Sequence, residues 1–347
     1  MSGDYSNNND LPMEIGGYFG LDMPDFGDAF ADTIKFQSGR AAMRAVIERN
    51  GLSRVMVPSY VCDSIIKAAT DAGAEVEIYG LDGSLYPEKL PLFLPERSAL
   101  VYVNYFGLCG PNIARLLEEL PPERLIIDNS HALFAEHCRA LASVYSPRKF
   151  AGLPDGGLLR LSPGSKPVSP GEEDCGSFAR MKYLLVRMAY SAREGYADFD
   201  SARNSLFDNR PLRMSRLTRR LMRSIRWDLI MERRRANYMV MAGIMDQAND
   251  LKWALGEKDV PLCYPFAAKG RDVNKIKKEL AGLNVFTATY WPDVLPRARP
   301  STIEATLVNE TLFLPIDQRL EKAQVETVCN LVLELVGKYP VKNYGKI

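Results

Sequence analysis

Lys149, in the segment SPRKFAGLPDGG, follows Asp128, the end of the apolar run RLIID, by 21 positions. A lysine becomes a nucleophile only where its surroundings lower its pKa or a carbonyl partner captures it. A carboxylate at the end of a buried strand is costly unless a cation pairs with it, and a protonated pyridine nitrogen is such a partner. Together the two residues suit a pyridinium cofactor that carries a carbonyl, pyridoxal 5′-phosphate. Each also has a plainer reading. Asp128 can cap DNSHALF as a helix, and most loop lysines face solvent.

Other residues could join this chemistry. His131 lies three positions after Asp128; on a helical turn the two side chains share a face, so the imidazole would touch whatever the carboxylate touches. The alternative is a satisfied, partly buried histidine. His137, the other histidine, reads as surface or structural. Ser38, Gly39 and Arg40 open the helix AAMRAVIERN. Free amides and the dipole at a helix N-terminus attract an anion, and small side chains let a phosphate approach them. Taken alone, SGRAA is more simply an N-cap by Ser38. Neither GxxxxGK[ST] nor a GxGxxG after a strand occurs. Arginines 213, 216, 219, 220, 223 and 226 recur at helical spacing. They suit phosphates or nucleic acid, or more simply a solvated helix face or subunit interface with Leu221, Trp227 and Leu229 as its buried side.

The elements that must position these residues read as an α/β layer. From Phe36 to Leu81 the pattern predicts a turn (FQSGR), a helix (AAMRAVIERNG), a strand (SRVMVPSY), a helix (VCDSIIKAATDAG) and a strand (AEVEIYGLD). SALVYVNYF, NIARLLEEL and RLIID continue it as strand, helix and strand. RALASVYSPRKF and GGLLRL add two more strands, so the sheet-bearing part ends near Leu161. Alternation of this kind means a mostly parallel sheet flanked by helices. SPGSKPVSPGEEDCG reads as a surface loop, and 178–249 as helical. VPLCYPFAA, FTATYW and ETLFLPI are predicted strands of a smaller C-terminal α/β lobe, with RDVNKIKKELAGL and EKAQVETVCNLVLELVGK as its helices. The expected domains are a flexible arm at 1–12, a large domain at 13–249 with order starting near Met13, and a small domain at 250–347.

Composition narrows the function classes. With 44 Lys and Arg against 43 Asp and Glu, no net field holds a nucleic acid, although a local basic patch remains open. The six cysteines fall without a CxxC or paired spacing and MSGDYSNNNDLPM has no apolar leader region, so a reduced cytoplasmic protein without a zinc site is expected. No apolar run approaches the roughly 18 residues of a membrane span.

In order, these segments resemble the DegT/DnrJ/EryC1/StrS sugar aminotransferases, of the fold type I pyridoxal-phosphate enzymes. The resemblance runs from EIGGYFGLD to LPIDQRLEKAQVETV. It rests on SGRAA, VMVPSY, Asp128 with His131, and Lys149 before Asp155, Gly156 and Gly157, followed by RRRANY, YPFAA, TATYWP and FLPIDQ. It implies that Lys149 bonds covalently to pyridoxal 5′-phosphate, Asp128 holds the pyridine nitrogen and His131 supports the ring. Ser38, Gly39 and Arg40 would bind phosphate through the loop backbone, and Ser143 or Ser146 would add a hydroxyl. It further implies a homodimer that transfers an amino group from glutamate or another amino acid to a keto sugar carried on a nucleotide, for surface glycan or glycoconjugate synthesis.

The pattern departs from the family at three places. Cys62 stands in the slot of a ring-stacking aromatic, with Tyr60 or Tyr105 as alternatives. In PLRMS, Arg213 and Met214 match a segment through which a neighbouring subunit reaches the phosphate, but Pro211 replaces the expected Asn, with Asn209 two residues away. FAGLPDGG differs from the commoner Thr-Gly-Glu-Gly-Gly. These departures keep open a second function class, an idle member used as a binding or assembly module.

Overall fold

The computed structural model describes residues 15–340; the expected arm at 1–12 and the start of order near Met13 lie outside the described residues. Seven strands form one sheet: β1 (Ile34–Phe36), β2 (Arg54–Pro58), β3 (Glu75–Tyr79), β4 (Ser98–Val103), β5 (Leu125–Asn129), β6 (Ala142–Tyr145) and β7 (Gly157–Leu161), in the order β1-β7-β6-β5-β4-β2-β3. Strands β2 to β6 pair in parallel, whereas β7 and β1 run antiparallel. Strands β4, β5 and β6 are buried along their whole length. Central parallel strands are covered on both faces, which is why they read as continuous apolar runs without alternation.

Helices α1 (Gly39–Asn50), α2 (Asp63–Asp71) and α3 (Gly110–Glu119) connect these strands. Ser38 starts α1 by accepting a hydrogen bond from the Ala41 amide at 3.2 Å, and Gly51, at φ 60°, ends it in the left-handed conformation that favours glycine. After β7 come α4 (Ser177–Arg180), α5 (Lys182–Ala189), α6 (Tyr196–Ser205), α7 (Arg216–Arg223) and α8 (Trp227–Met245). The C-terminal part holds β8 (Tyr264–Ala267), α9 (Val273–Gly282), α10 (Ile303–Asn309), β9 (Thr311–Leu314) and α11 (Lys322–Lys338). Strands β8 and β9 form a separate antiparallel pair, and α8 lies along α11. The expected architecture, a mixed, mostly parallel sheet with a smaller C-terminal α/β part, is the one observed.

Several local expectations are corrected. FTATYW is not a strand: its backbone bridges β9 at Ala288 alone, and Trp291 adopts φ 52°, which a continuing strand cannot hold. FQSGR is not only a turn, because Ile34–Phe36 pairs with β7. Helix α10 was not foreseen. DNSHALF folds as two tight turns, closed by Ala132 N–H to Asn129 O at 2.9 Å and Ala135 N–H to Ala132 O at 3.0 Å. A helix cannot start there because Asp128 and Asn129 are held in β5.

The arginine run is spent within the chain. Arg216 and Arg219 face Glu173, Arg220 donates to the carbonyls of Met23 and Pro24, and Arg223 pairs with Asp25 at 3.0 Å. These contacts fasten the extended segment 23–26 to α7, and the Phe26 amide adds a bond to Arg223 O. Leu221 and Trp227 are buried as expected, but Leu229 is 45% exposed. The chain breaks helix at Ser224–Arg226, and α8 restarts with a different phase. No helix among the described residues is long and apolar enough to cross a membrane.

Candidate functional site

Strand β6 delivers Lys149. A single 3-10 turn, Pro147–Lys149, follows it, and the Lys149 amide donates to Ser146 O at 3.2 Å. The side chain is partly buried, and among the described residues Nζ has no hydrogen bond or ion pair. Burial lowers its pKa to about 8; Asp128 and Cys62 act in the opposite sense, while Arg148 and Arg40 lower it further. An amine of this kind is partly neutral near physiological pH, as a nucleophile or proton acceptor must be.

Asp128 is the last residue but one of β5, the strand beside β6. The C-terminal edge of a parallel sheet is where open α/β folds gather ligands. Buried Asp128 accepts from the Ser130 amide at 2.8 Å through Oδ1, and no donor from the described residues reaches Oδ2. His131 is fully buried, and neither ring nitrogen has a partner. Burial first, and then the Lys149 charge, push its pKa well below the ordinary histidine value, so the ring is neutral. It stacks on Trp291 with centroids 5.0 Å apart and planes 15° apart, and meets Tyr290 at 4.9 Å.

The N-terminus of α1 packs against the same edge. A Cβ on Gly39 would meet Val144 Cγ1 at 3.5 Å and Ser130 Oγ at 3.6 Å. The glycine pair after Lys149 is pinned to this loop: Gly156 N–H donates to Gln37 O at 2.7 Å, and a Cβ on Gly157 would lie 2.1 Å from the Ser38 carbonyl carbon. Only glycine permits that approach. The loop carrying Lys149 and the amides of the candidate anion site are therefore held against each other.

Strand register separates the two serines. Asp128 pairs with Val144 and Ile127 with Ser143, so Ser143 lies on the face opposite Asp128. There it bonds to His137 Nδ1 at 2.9 Å, and His137 Nε2 lies 3.4 Å from Ser162 Oγ, which makes His137 structural. Ser146 is buried at the start of the turn that bears Lys149. Asn209 is committed within its own chain, donating to Asp71 at 2.8 Å and accepting from Arg44 at 2.9 Å. Tyr60 is fully buried, and the equally buried Tyr105 donates its hydroxyl to Tyr60 O at 2.7 Å. Cys62 precedes α2 and is partly buried. Tyr60 meets Trp291 at 4.8 Å in a steep edge contact.

The sequence reading missed three participants and the role of a fourth. Tyr290 and Trp291 reach the site because FTATYW leaves the strand conformation. Arg148 adjoins Lys149 in sequence, and that adjacency was the available signal. The fourth is the support of the Lys149 loop. Asp155, fully buried, accepts from Ser177 Oγ at 2.5 Å, from Arg180 Nε at 2.9 Å and from Thr218 Oγ1. Arg180 also pairs with Asp174. Removing one partner of a buried ion pair strands a charge. Asp155→Ala is expected to cost about 3 kcal/mol in urea unfolding, the low end of the usual ~3–5 kcal/mol because Asp174 still faces Arg180. A loss under about 1 kcal/mol would show that the network is not holding the loop.

Pyridoxal phosphate fits these residues. A carboxylate oxygen without a donor, an amine without an acceptor, two orphaned imidazole nitrogens and a helix N-terminus share one edge of the sheet, and each needs what that cofactor carries. No group of three or more His, Cys, Asp or Glu able to hold a metal ion occurs among the described residues. A cavity of about 1350 Å³ opens beside Lys149.

No protein-family model matches the sequence, and no curated protein matches it. Solved structures match it in fold. The aminotransferase TlmJ of Streptoalloteichus hindustanus is 19% identical, with 88% of this chain and 86% of that one covered and a TM-score of 0.59. A DegT DnrJ EryC1 StrS aminotransferase of Brucella abortus is 17% identical over the same shares, also at 0.59. The PMP form of Spr1654, described as a sugar aminotransferase of Streptococcus pneumoniae, is 13% identical over the same shares at 0.63.

Proposed function

We propose that this chain, which has the fold of the DegT/DnrJ/EryC1/StrS sugar aminotransferases at low sequence identity, is itself a pyridoxal-phosphate-dependent aminotransferase. Its donor is an amino acid such as glutamate, and its acceptor is a keto sugar carried on a nucleotide, for surface glycan or glycoconjugate synthesis. The observation that carries the reading is Lys149, its pKa lowered to about 8, beside Asp128 with an oxygen that accepts no bond.

When bound, pyridoxal phosphate supplies the carbonyl that takes up the amino group and the ring that accepts electrons. The chain's own residues do the rest. Lys149 Nζ, in its neutral form, would take the proton from the donor's α carbon and pass it on within the first half of the reaction, and would deliver a proton to the acceptor's carbonyl carbon in the second. Asp128 keeps a proton on the ring nitrogen, without which the ring is a poor electron acceptor. His131, neutral and enclosed by Trp291 and Tyr290, keeps water from that side of the site. The backbone amides of Ser38, Gly39 and Arg40 and the hydroxyl of Ser146 bind phosphate, and Tyr60 and Cys62 border the ring. Arg187, Arg193 and Arg234 line the cavity, whose one acidic side chain among the described residues, Asp317, is paired with Arg319 at 2.7 Å. That charge balance supports a phosphorylated acceptor.

Pyridoxal phosphate added to the protein should produce a visible absorption band that borohydride removes, with the reduced label at Lys149. Asp128→Ala should keep the label and lower transamination by at least about 100-fold. No label at Lys149 would sink the reading and leave the fold as a binding or assembly module.

The same reading makes the protein a cytoplasmic homodimer. The exposed Ile15, Tyr18, Phe19 and Leu21 of the N-terminal segment offer an apolar surface for a second copy to cover. Sedimentation equilibrium at micromolar concentration should give twice the 38.8 kDa chain mass; monomer alone would contradict it.

A further inference from the structure

The mechanism leaves two cations unused. Arg148 lies beside Lys149 and lines the same cavity, and among the described residues it has neither a hydrogen-bond acceptor nor a carboxylate partner. Asp155 acts on Arg148 only through space, partly offsetting the burial that lowers its pKa, because its oxygens are bonded to Ser177, Arg180 and Thr218. Arg40, in the first turn of α1, spends one N–H on Leu206 O at 3.1 Å and rests its guanidinium over Phe207 at 5.0 Å. It too has no carboxylate partner among the described residues. The two loops are joined where Ser38 pairs with Gly156, whose Cβ would touch Pro147 at 3.2 Å. Burial, and then the charge of Arg148, lower the Arg40 pKa to about 10. Two desolvated guanidinium groups without an anion are unfavourable, and one dianion between them relieves both. Their planar forks match phosphate oxygens.

We propose that Arg40 and Arg148 form a side-chain site for a phosphate monoester dianion beside Lys149, so that charged side chains as well as the α1 amides hold the phosphate. The dianion is the cofactor's own phosphate, an assignment that rests on the function proposed above. A phosphorylated substrate is the other source of the same chemistry.

The test measures the affinity of the full chain for pyridoxal 5′-phosphate, pyridoxal and inorganic phosphate by calorimetry. It compares the wild type with Arg148→Gln, Arg148→Lys and Arg40→Gln, each checked for a native thermal melt. A charge-assisted hydrogen bond is worth about 10- to 100-fold in affinity. Arg148→Gln and Arg40→Gln should therefore weaken pyridoxal phosphate by about that factor and leave pyridoxal unchanged, and Arg148→Lys should recover part of the loss. If protein already loaded with pyridoxal phosphate still binds inorganic phosphate through Arg148, the site stands and its dianion is a substrate's. If phosphate binds through Arg148 but no label forms at Lys149, the site stands and the aminotransferase reading fails. Equal losses for pyridoxal and its phosphate, or no loss in either glutamine variant, overturn the site.

Discussion

The initial rate at which the cofactor-free protein captures pyridoxal is expected to rise about tenfold per pH unit up to about pH 8 and then level off. Only the neutral amine attacks a carbonyl. Below its pKa the neutral fraction of Lys149 grows tenfold per unit, and above it the fraction saturates. An unperturbed lysine would keep gaining to about pH 10.4, so the position of the plateau reports directly on the burial that lowers this amine. Lys149→Ala should abolish the plateaued phase and reduce transamination by about 100- to 10,000-fold, the range for loss of a positioned acid–base group. A rate still climbing at about pH 10 would mean that the surroundings of Lys149 do not lower its pKa.

Gly157→Ala is expected to be among the most damaging single changes in the chain. The added Cβ would lie 2.1 Å from the Ser38 carbonyl carbon and 2.4 Å from the Gly39 amide nitrogen. Neither is the end of a flexible side chain, so backbone must move. Overpacking of a rigid interior typically costs about 1–3 kcal/mol and more when backbone shifts, so a loss of about 3 kcal/mol and a fall in Tm of about 4 °C are expected. Because the moving atoms belong to the candidate phosphate loop, affinity for pyridoxal phosphate should fall with stability. Gly243→Ala is the control. This glycine sits in α8 with no atom within 4 Å of the added Cβ, and the helix gains about 0.5–1 kcal/mol from alanine. A Gly157→Ala protein that melts like the wild type would show that the two loops do not pack as described.

Much of the large sheet was legible because its signals are local. Buried strands read as short apolar runs, α1 announces itself by Ser38 at one end and Gly51 at the other, and Asp128 and Lys149 lie where strands end. The errors came where tertiary contacts overrode local pattern. FTATYW has strand composition, yet Tyr290 and Trp291 are drawn into the aromatic group around His131. Leu229 follows the spacing of the arginine run, but the break before α8 turns it outward. The choice between Ser143 and Ser146 depended on the register of β5 against β6, and a register slip of one residue exchanges the two faces of a strand.

By itself the sequence determined the α/β class, the strand and helix order from α1 to β7, the capping of α1, and the candidacy of Asp128 and Lys149. These follow from residue type, period and spacing, which act over a few positions of chain. The tertiary structure alone decided that His131 carries two unpartnered nitrogens and that the Arg213–Arg226 run is spent on Glu173, Asp25, Asp228 and backbone carbonyls. It also decided that Asp155 is held by Ser177, Arg180 and Thr218, that Arg148 lines the cavity beside Lys149, and that neither Arg40 nor Arg148 has a carboxylate partner among the described residues. Burial, pairing and pKa depend on what distant segments bring within a few ångströms, and no local pattern in the chain encodes those distances.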